Sequence, residues 1–381
     1  MRQALKKQGN PEYEGNSVTL LPSAREKFAD MFRVIGNAER FVHLEYFIFR
    51  NDSIGGELIH LLHRKVQEGV QVRLLIDAYG NYKAPQIWTD EQLDSLRALG
   101  IKVGVFDPLH FPWIHNMLHR DHRKNVIVDG LSAYTGGMNV SDYYIHGTER
   151  TGPWRDMQVR MEGPVVDEFQ RIFARIWERT TGEHLDSLAY HATPKTQGDK
   201  IVTMVNREPK LSNRQIRQSY VAALRLAQKE IRIVNPYPTL THSVRRALKR
   251  ALRRGVRMQI MVSATSDNRV TPEVVSIQMK KMMKHGAEVY YFEGGFHHSK
   301  LMTVDGEFCT IGTANLDGRS LRYDYEMNTY VFSPETTAQI DSLFRKDLQQ
   351  SQLLTPENFR QRFSLKQRFI GRVFQPIKGL L

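Results

Sequence analysis

Apolar runs alternate with amphipathic stretches along most of the chain, and their order repeats. Phe41 to Phe49 (FVHLEYFIF) reads as a buried strand. A helical stretch from Gly56 to Gln67 follows, and Gly69 ends it before the apolar strand in EGVQVRLLID at 68–77. The second half passes through the same series. Ile231 to Tyr237 (IRIVNPY) takes the place of the first strand, Ser243 to Arg253 the place of the helix, and RGVRMQIMVS at 254–263 the place of the next strand. A further helix and strand come around LRALGIKVGVF (96–106) and MMKHGAEVYYF (282–292). Gly69 and Gly255 are 186 positions apart, as are Gly100 and Gly286. Strands alternating with helices predict α/β lobes, each with a sheet flanked by helices. So long a period marks a duplicated domain rather than a solenoid. The polar stretch TPKTQGDK at 193–200 sets the expected boundary. That gives a first lobe over residues 1–195, a second over 196–345, and a basic tail over 346–381 without a counterpart.

Inside the repeat lies a motif written twice. His122-Arg-Lys124 is followed by Asp129, and His298-Ser-Lys300 by Asp305. The offset of 176 (298 minus 122) also carries Val128 onto Val304, Gly130 onto Gly306, Gly136 onto Gly312 and Asn139 onto Asn315. A lone His-x-Lys-x4-Asp turns up by chance in a basic, histidine-containing chain. Two copies whose glycines and asparagines also register do not. The fall in offset from 186 to 176 places about ten extra residues, DPLHFPWIHN, just before the first motif, and they are apolar and aromatic. Residues two apart on a strand share a face, so His122, Lys124 and Asn139 can serve one cleft, while His297 points away from His298 and reads as structural. Each copy brings an imidazole, a cation and an amide, which is half a set of phosphate chemistry.

Two other patterns here carry nothing. His119-Arg120-Asp121 imitates a protein-kinase catalytic loop, but Asn125 is one residue too close and no glycine-rich loop precedes it. His119 and His122 lack a third and fourth metal ligand.

Composition narrows the setting. Fifty-four Lys and Arg against 41 Asp and Glu leave a formal charge of +13, and the pI is near 9.7. That calls for a polyanionic partner, either nucleic acid or an anionic membrane surface. One cysteine, Cys309, excludes an intramolecular disulfide and a cysteine zinc site. The opening MRQALKKQGNPEYEG is polar, so no signal peptide is expected. No stretch approaches the roughly 18 apolar residues of a membrane span.

The motifs identify a resemblance. The chain resembles the phospholipase D superfamily and, within it, the bacterial cardiolipin synthases. The matching segments are HLEYFIF (43–49), DHRKNVIVDG (121–130), TGGMNVSDYY (135–144) and WRDMQVRMEGP (154–164), then FHHSKLMTVDG (296–306), GTANLDGRS (312–320) and YEMNTYVF (325–332). The tail segment LTPENFRQRF also matches. Many such synthases begin with two membrane-spanning helices, which this sequence does not show.

The resemblance implies two homologous α/β lobes packed as a pseudo-two-fold with one active site at their interface. It implies the phosphatidyl transfer from one phosphatidylglycerol to another, giving cardiolipin and glycerol, and a peripheral place on the cytoplasmic face of a bacterial inner membrane. An imidazole attacks the phosphodiester, a phosphohistidine forms as one alcohol leaves, and a second alcohol takes the phosphatidyl group. Family precedent makes His122 the nucleophile and His298 the acid. Lys124 and Lys300, with Asn139 and Asn315, would hold the non-bridging oxygens, so that no metal or cofactor is needed. By resemblance, Asp156 would orient His298 and Glu326 would orient His122. Asp129 and Asp305 complete the motifs and are expected to brace their own strand-turns.

Glu45 is a carboxylate in an apolar strand, either orienting a glycerol hydroxyl or satisfied by a nearby cation. In the tail, Phe359, Phe363, Ile370, Val373 and Phe374 fall near one helical face. Arg360, Arg362, Lys366, Arg368, Arg372 and Lys378 face only Glu357, which predicts an interfacial helix or one docked on the second lobe. Two other activities share the motifs: hydrolysis or headgroup exchange on other phospholipids, and cleavage of DNA. Neither an aromatic-basic strand-binding stretch nor a DNA-binding module is present to favour nucleic acid.

Overall fold

The computed structural model describes residues 1–82, 85–109, 117–185, 187–190, 196–376 and 378. The chain divides into two compact units. One, holding the first motif, comprises Glu12–His146 and Asp156–Met204. The other, holding the second motif, comprises Met1–Pro11, Gly147–Arg155 and Val205–Leu381.

In the first-motif unit the sheet runs in the order Glu12–Leu21, Gln158–Glu162, Ser132–Gly136, Lys124–Val128, Phe41–Tyr46, Gln71–Asp77 and Lys102–Phe106. The last three are parallel, and the motif strand 124–128 joins them antiparallel, with Val42 opposite Val128 and Tyr46 opposite Lys124. The second-motif unit repeats the last six of these strands in the same order. Its order is Glu326–Phe332, Phe308–Gly312, Leu301–Val304, Glu230–Val234, Arg257–Ser263 and Glu288–Phe292. Again three parallel strands meet an antiparallel motif strand, here with Ile231 opposite Val304. The repeat read from the sequence is therefore a repeat of topology.

Helices cover each sheet for reasons visible in their residues. Ser53–Gln67 starts where the Asp52 carboxylate accepts the Gly55 amide at 3.1 Å, and it buries Ile54, Leu58, Ile59, Leu61 and Leu62. His242–Arg253 buries Val244, Ala247, Leu248 and Ala251, a spacing of three, four and seven that puts them on one stripe. Gly69 and Gly255 follow the paired helices with φ of 90° and 85°, a left-handed conformation that glycine adopts without a side-chain clash.

The tail differs from a single amphipathic helix. Ser351–Leu353 adds a strand beside Glu288–Phe292, and two short helices follow, Pro356–Arg362 and Leu365–Val373. Phe359 and Phe363 belong to the hydrophobic core of the second-motif unit rather than to an interfacial face. The reason is local. Ser364 caps the second helix by accepting the Gln367 amide at 3.2 Å, which breaks the helix after Arg362 and turns the two faces apart. Most of the apolar insert before the first motif, residues 110–116, lies outside the described residues. No helix among the described residues is long and apolar enough to cross a membrane.

Candidate active site

Each motif is built around an Asp-Gly turn. Asp129 and Gly130 have φ of 55° and 70°, and Asp305 and Gly306 have φ of 56° and 73°. Positive φ at both central residues makes these type I′ turns, closed by Leu131 N–H to Val128 O at 2.9 Å and Glu307 N–H to Val304 O at 3.0 Å. The aspartates reach further than their own turns. The Asp129 carboxylate accepts the amides of Glu39, Arg40 and Phe41, each at 2.8 Å, and Asp305 accepts those of Gln228, Lys229 and Glu230 at 2.7–2.9 Å. They therefore clamp the entry of the neighbouring parallel strand to the motif strand. Set among the candidate catalytic residues with the rest of the motif, both are positioning residues here.

In the first-motif unit Lys124 is fully buried at the start of its strand, and its ammonium donates to the His122 carbonyl. The Phe47 ring meets the His122 ring edge-on, with centroids 4.8 Å apart. Asn139 is buried, its Oδ1 accepting the Ile48 amide at 3.0 Å and its amide donating to the Tyr144 hydroxyl at 3.1 Å. It thus fixes the backbone that presents Phe47. Beneath the motif the alternate residues close a buried charge cluster. Arg123 Nε lies 3.0 Å from both Glu45 and Asp121, and Asn125 donates to Glu45 at 2.6 Å. Burial drives the Glu45 carboxyl well above the usual range despite Arg123, and the adjacent Asp121 charge adds to this. Burial also opposes ionisation of Asp121, yet Arg123 holds that carboxyl below its usual value. Arg123 is the nearby cation that one of the two readings open for Glu45 called for. Arg120 in turn lies 3.1 Å from Asp77, both fully buried, so the kinase-like triplet anchors the chain that delivers His122.

The second motif is held differently. Phe296–His297 pairs in parallel with Trp154–Arg155, and the His298 amide donates to the Arg155 carbonyl at 2.7 Å. The His298 ring sits among Trp154, Phe296 and Tyr237, with centroids 5.3, 5.4 and 6.1 Å away. Lys300 is buried, its Nζ 2.9 and 3.0 Å from the two ring nitrogens of His298. His297 faces the other way, as strand alternation predicts. Its Nε2 is 3.1 Å from Asp347, which Arg155 also contacts at 3.2 Å. Burial would raise the Asp347 carboxyl, but His297 and Arg155 hold it below the ordinary range.

The two asparagines are not equivalent. Asn315 is buried, and its Oδ1 has no hydrogen-bond partner among the described residues, whereas the corresponding atom of Asn139 is taken by the Ile48 amide.

Asp156 and Glu326 occupy matching positions in their own units. Gly136 pairs with Gln158 and Gly312 with Asn328, so each carboxylate lies two residues before the partner of the glycine that ends the hairpin. Neither is on the surface, at 2% and 0% exposure. Asp156 accepts the Met157 amide at 2.7 Å and packs on Gly137, while Glu326 accepts the hydroxyl of Thr313, the residue in register with Gly137. Sequence reasoning had no role for Phe47, Trp154 or Tyr237. The only signal was the aromatic residue preceding Arg155 and Asp156 in WRD.

A sheet of this topology, repeated with a His-x-Lys motif leading into the same strand of each copy, defines the phospholipase D-like class. Over all of this chain and 99% of the other, the fold matches the phosphatidylserine synthase of Haemophilus influenzae Rd KW20, with a TM-score of 0.78 at 14% identity. A polyphosphate kinase from Porphyromonas gingivalis matches over 87% of this chain and 50% of its own, with a TM-score of 0.56 at 14% identity. These likenesses concern the fold. The family described as cardiolipin synthase, PLD-like domain, matches residues 31–177 and 220–348, and the chain belongs to that family. Its relatives include the probable cardiolipin synthase YwiE of Bacillus subtilis, 32% identical over 91% of this chain and 69% of its own length. Cardiolipin synthase 1 of Staphylococcus epidermidis is 31% identical over 99% of this chain and 77% of its own.

Proposed function

We propose that this chain is a cardiolipin synthase that moves the phosphatidyl group of one phosphatidylglycerol onto the glycerol hydroxyl of another. The observation that carries the reading is the pairing, in each unit, of a motif histidine with a buried lysine two residues on. A buried ammonium is costly and suits a site that takes in an anion. His122 attacks phosphorus, the bond from phosphorus to the leaving glycerol oxygen breaks, and His298 gives that oxygen its proton. His298 then takes the proton of the incoming hydroxyl, whose oxygen attacks phosphorus and displaces the His122 nitrogen. Lys124, Lys300 and the Asn315 amide balance the charge that builds on the non-bridging oxygens.

The orienting carboxylates are Asp156 for His298 and Glu326 for His122. Supporting the first, the residue before Asp156 is Arg155, whose carbonyl accepts the His298 amide. The enzyme works peripherally at the cytoplasmic face of a bacterial membrane, and its polyanionic partner is phospholipid rather than nucleic acid.

Purified protein given labelled phosphatidylglycerol in mixed micelles should form cardiolipin and glycerol in equal amounts. Phosphatidic acid as the main product would instead make it a hydrolase. His122→Ala and His298→Ala should each lower turnover about a thousandfold or more, and the double variant should be no worse than either, as groups acting together behave. Acid quenching should trap label on His122. A single variant within tenfold of wild type would end the two-histidine mechanism.

A further inference from the structure

We propose that one face of the second-motif unit, formed by the helices His242–Arg253, Thr271–Met283 and Leu365–Val373, docks on an anionic lipid bilayer. Leu365, Phe369 and Val373 are the parts that enter it. This rests on the reading that the substrate is a membrane phospholipid, and it names the surface that meets the membrane.

The apolar part is a ridge. Leu365, Phe369 and Val373 are 78%, 66% and 54% exposed, and at spacings of four they stand above one another on the helix. Their outward direction is fixed from behind. Gly371 packs so closely on the helix Thr271–Met283 that a Cβ there would lie 2.2 Å from the Glu273 carbonyl oxygen, and Gln375 donates to the Val274 carbonyl at 3.1 Å. The ridge therefore cannot roll inward without undocking the helix.

The surroundings are cationic. Neither His242–Arg253 nor Leu365–Val373 contains an acidic residue, and Thr271–Met283 has only Glu273 in its first turn. Lys280 is held below its usual range by burial and then by Lys284, Arg368, Arg372 and Arg360. Lys281 is depressed by burial and then by Arg245 and Lys249, which continues the field onto the helix His242–Arg253. It extends to a cavity of about 160 Å³ lined by Arg245, Arg322 and Lys378 among others.

Mutual repulsion of this kind is relieved by an anionic surface. Nucleic acid would meet the charge but leave the apolar ridge in water. A bilayer of anionic lipid satisfies both, with cations at the headgroups and the ridge below them.

The test uses the full chain and vesicles of phosphatidylglycerol mixed with phosphatidylcholine, or of phosphatidylcholine alone. Wild type should co-sediment with the anionic vesicles, less so at high salt, and weakly with the neutral ones. Neutralising two exposed cations, Lys366→Gln with Arg372→Gln, should weaken that binding roughly thirtyfold. Leu365→Ser with Phe369→Ser should weaken it at least tenfold, and binding should then stay weak at low salt. Melting temperatures should be unchanged, because all four side chains are exposed. Cardiolipin formation by these variants should fall on vesicles and stay within about twofold of wild type in detergent micelles. Vesicle binding by both variants equal to wild type would overturn the proposal, as would tighter binding of wild type to duplex DNA than to anionic vesicles. Vesicle binding that behaves as stated, from a protein that makes no cardiolipin even in micelles, would uphold the docking face and refute the assigned reaction.

Discussion

Asp156 and Glu326 are the residues whose substitution separates orientation from binding. Each is buried, and each already has one partner in its own unit, Met157 N–H or the Thr313 hydroxyl. Asp156→Asn and Glu326→Gln keep shape and most hydrogen bonding while removing the charge that favours an imidazolium. Turnover should fall about a hundredfold or more, while KM for phosphatidylglycerol changes by less than about threefold. Steady-state kinetics in micelles, with melting curves beside them, checks this. Wild-type rates in both variants would place the orienting groups elsewhere. At this scale the histidines and lysines were legible because the motif occurs twice. The setting of Glu45 was not. HRDHRK reads equally as a solvated charged loop, and only the fold brings Asp121 and Arg123 against a strand 76 positions earlier (121 minus 45).

At the scale of elements, the hairpin that carries each motif ends in a glycine whose successor meets the carboxylate. A Cβ on Gly137 would lie 2.4 and 2.5 Å from the two oxygens of Asp156. Those atoms end a short side chain that can turn away, so Gly137→Ala should fold normally and still lose much of its activity. Turnover should drop about tenfold to a hundredfold, and adding Asp156→Asn should cost little more. Unchanged kinetics in Gly137→Ala would show that the carboxylate's position does not matter. The repeat was readable because its helices are periodic and end in glycines, with an apolar run after each. The break in the tail was readable too, since Ser364 and Gln367 have the spacing of a capping box, but the basic and aromatic periodicity across it concealed the stop.

For the whole molecule, pH also acts through buried groups outside the motif residues themselves. His43 is buried between Phe41 and Phe173, with ring centroids 4.6 Å away on each side, and burial followed by the Arg73 charge pushes its pKa down to about 3. An unfolded chain binds a proton there near pH 6.5 while the folded one does not. Stability is therefore full above that pH and declines as pH falls towards 3. Relative to His43→Gln, wild type should lose about 2–3 kcal/mol between pH 7 and 4.5. Urea unfolding of both proteins at the two pH values measures it, and a constant difference would mean that His43 is protonated in the fold. Asp77, raised to about 6 by burial against the opposing charge of Arg120, works in the other direction, so the comparison with the variant is needed.

The chain passes between its two units at residues 12, 147, 156 and 205, and this orders events during synthesis. The helix Arg2–Lys7 precedes all of the first-motif unit, yet Leu5 is fully buried in the core of the second, with Val205 and Ile216. Trp154 and Arg155 likewise wait for Phe296 and His297. At the ribosome the first-motif unit is complete once Met204 has emerged, and Phe296, 92 residues further on (296 minus 204), takes roughly five to eighteen seconds to follow. Throughout that interval a finished domain carries two orphaned segments, one at its start and one looping out between His146 and Asp156. Leu5 and Trp154 are then exposed to solvent and to chaperones, and residues made early are among the last to find their place.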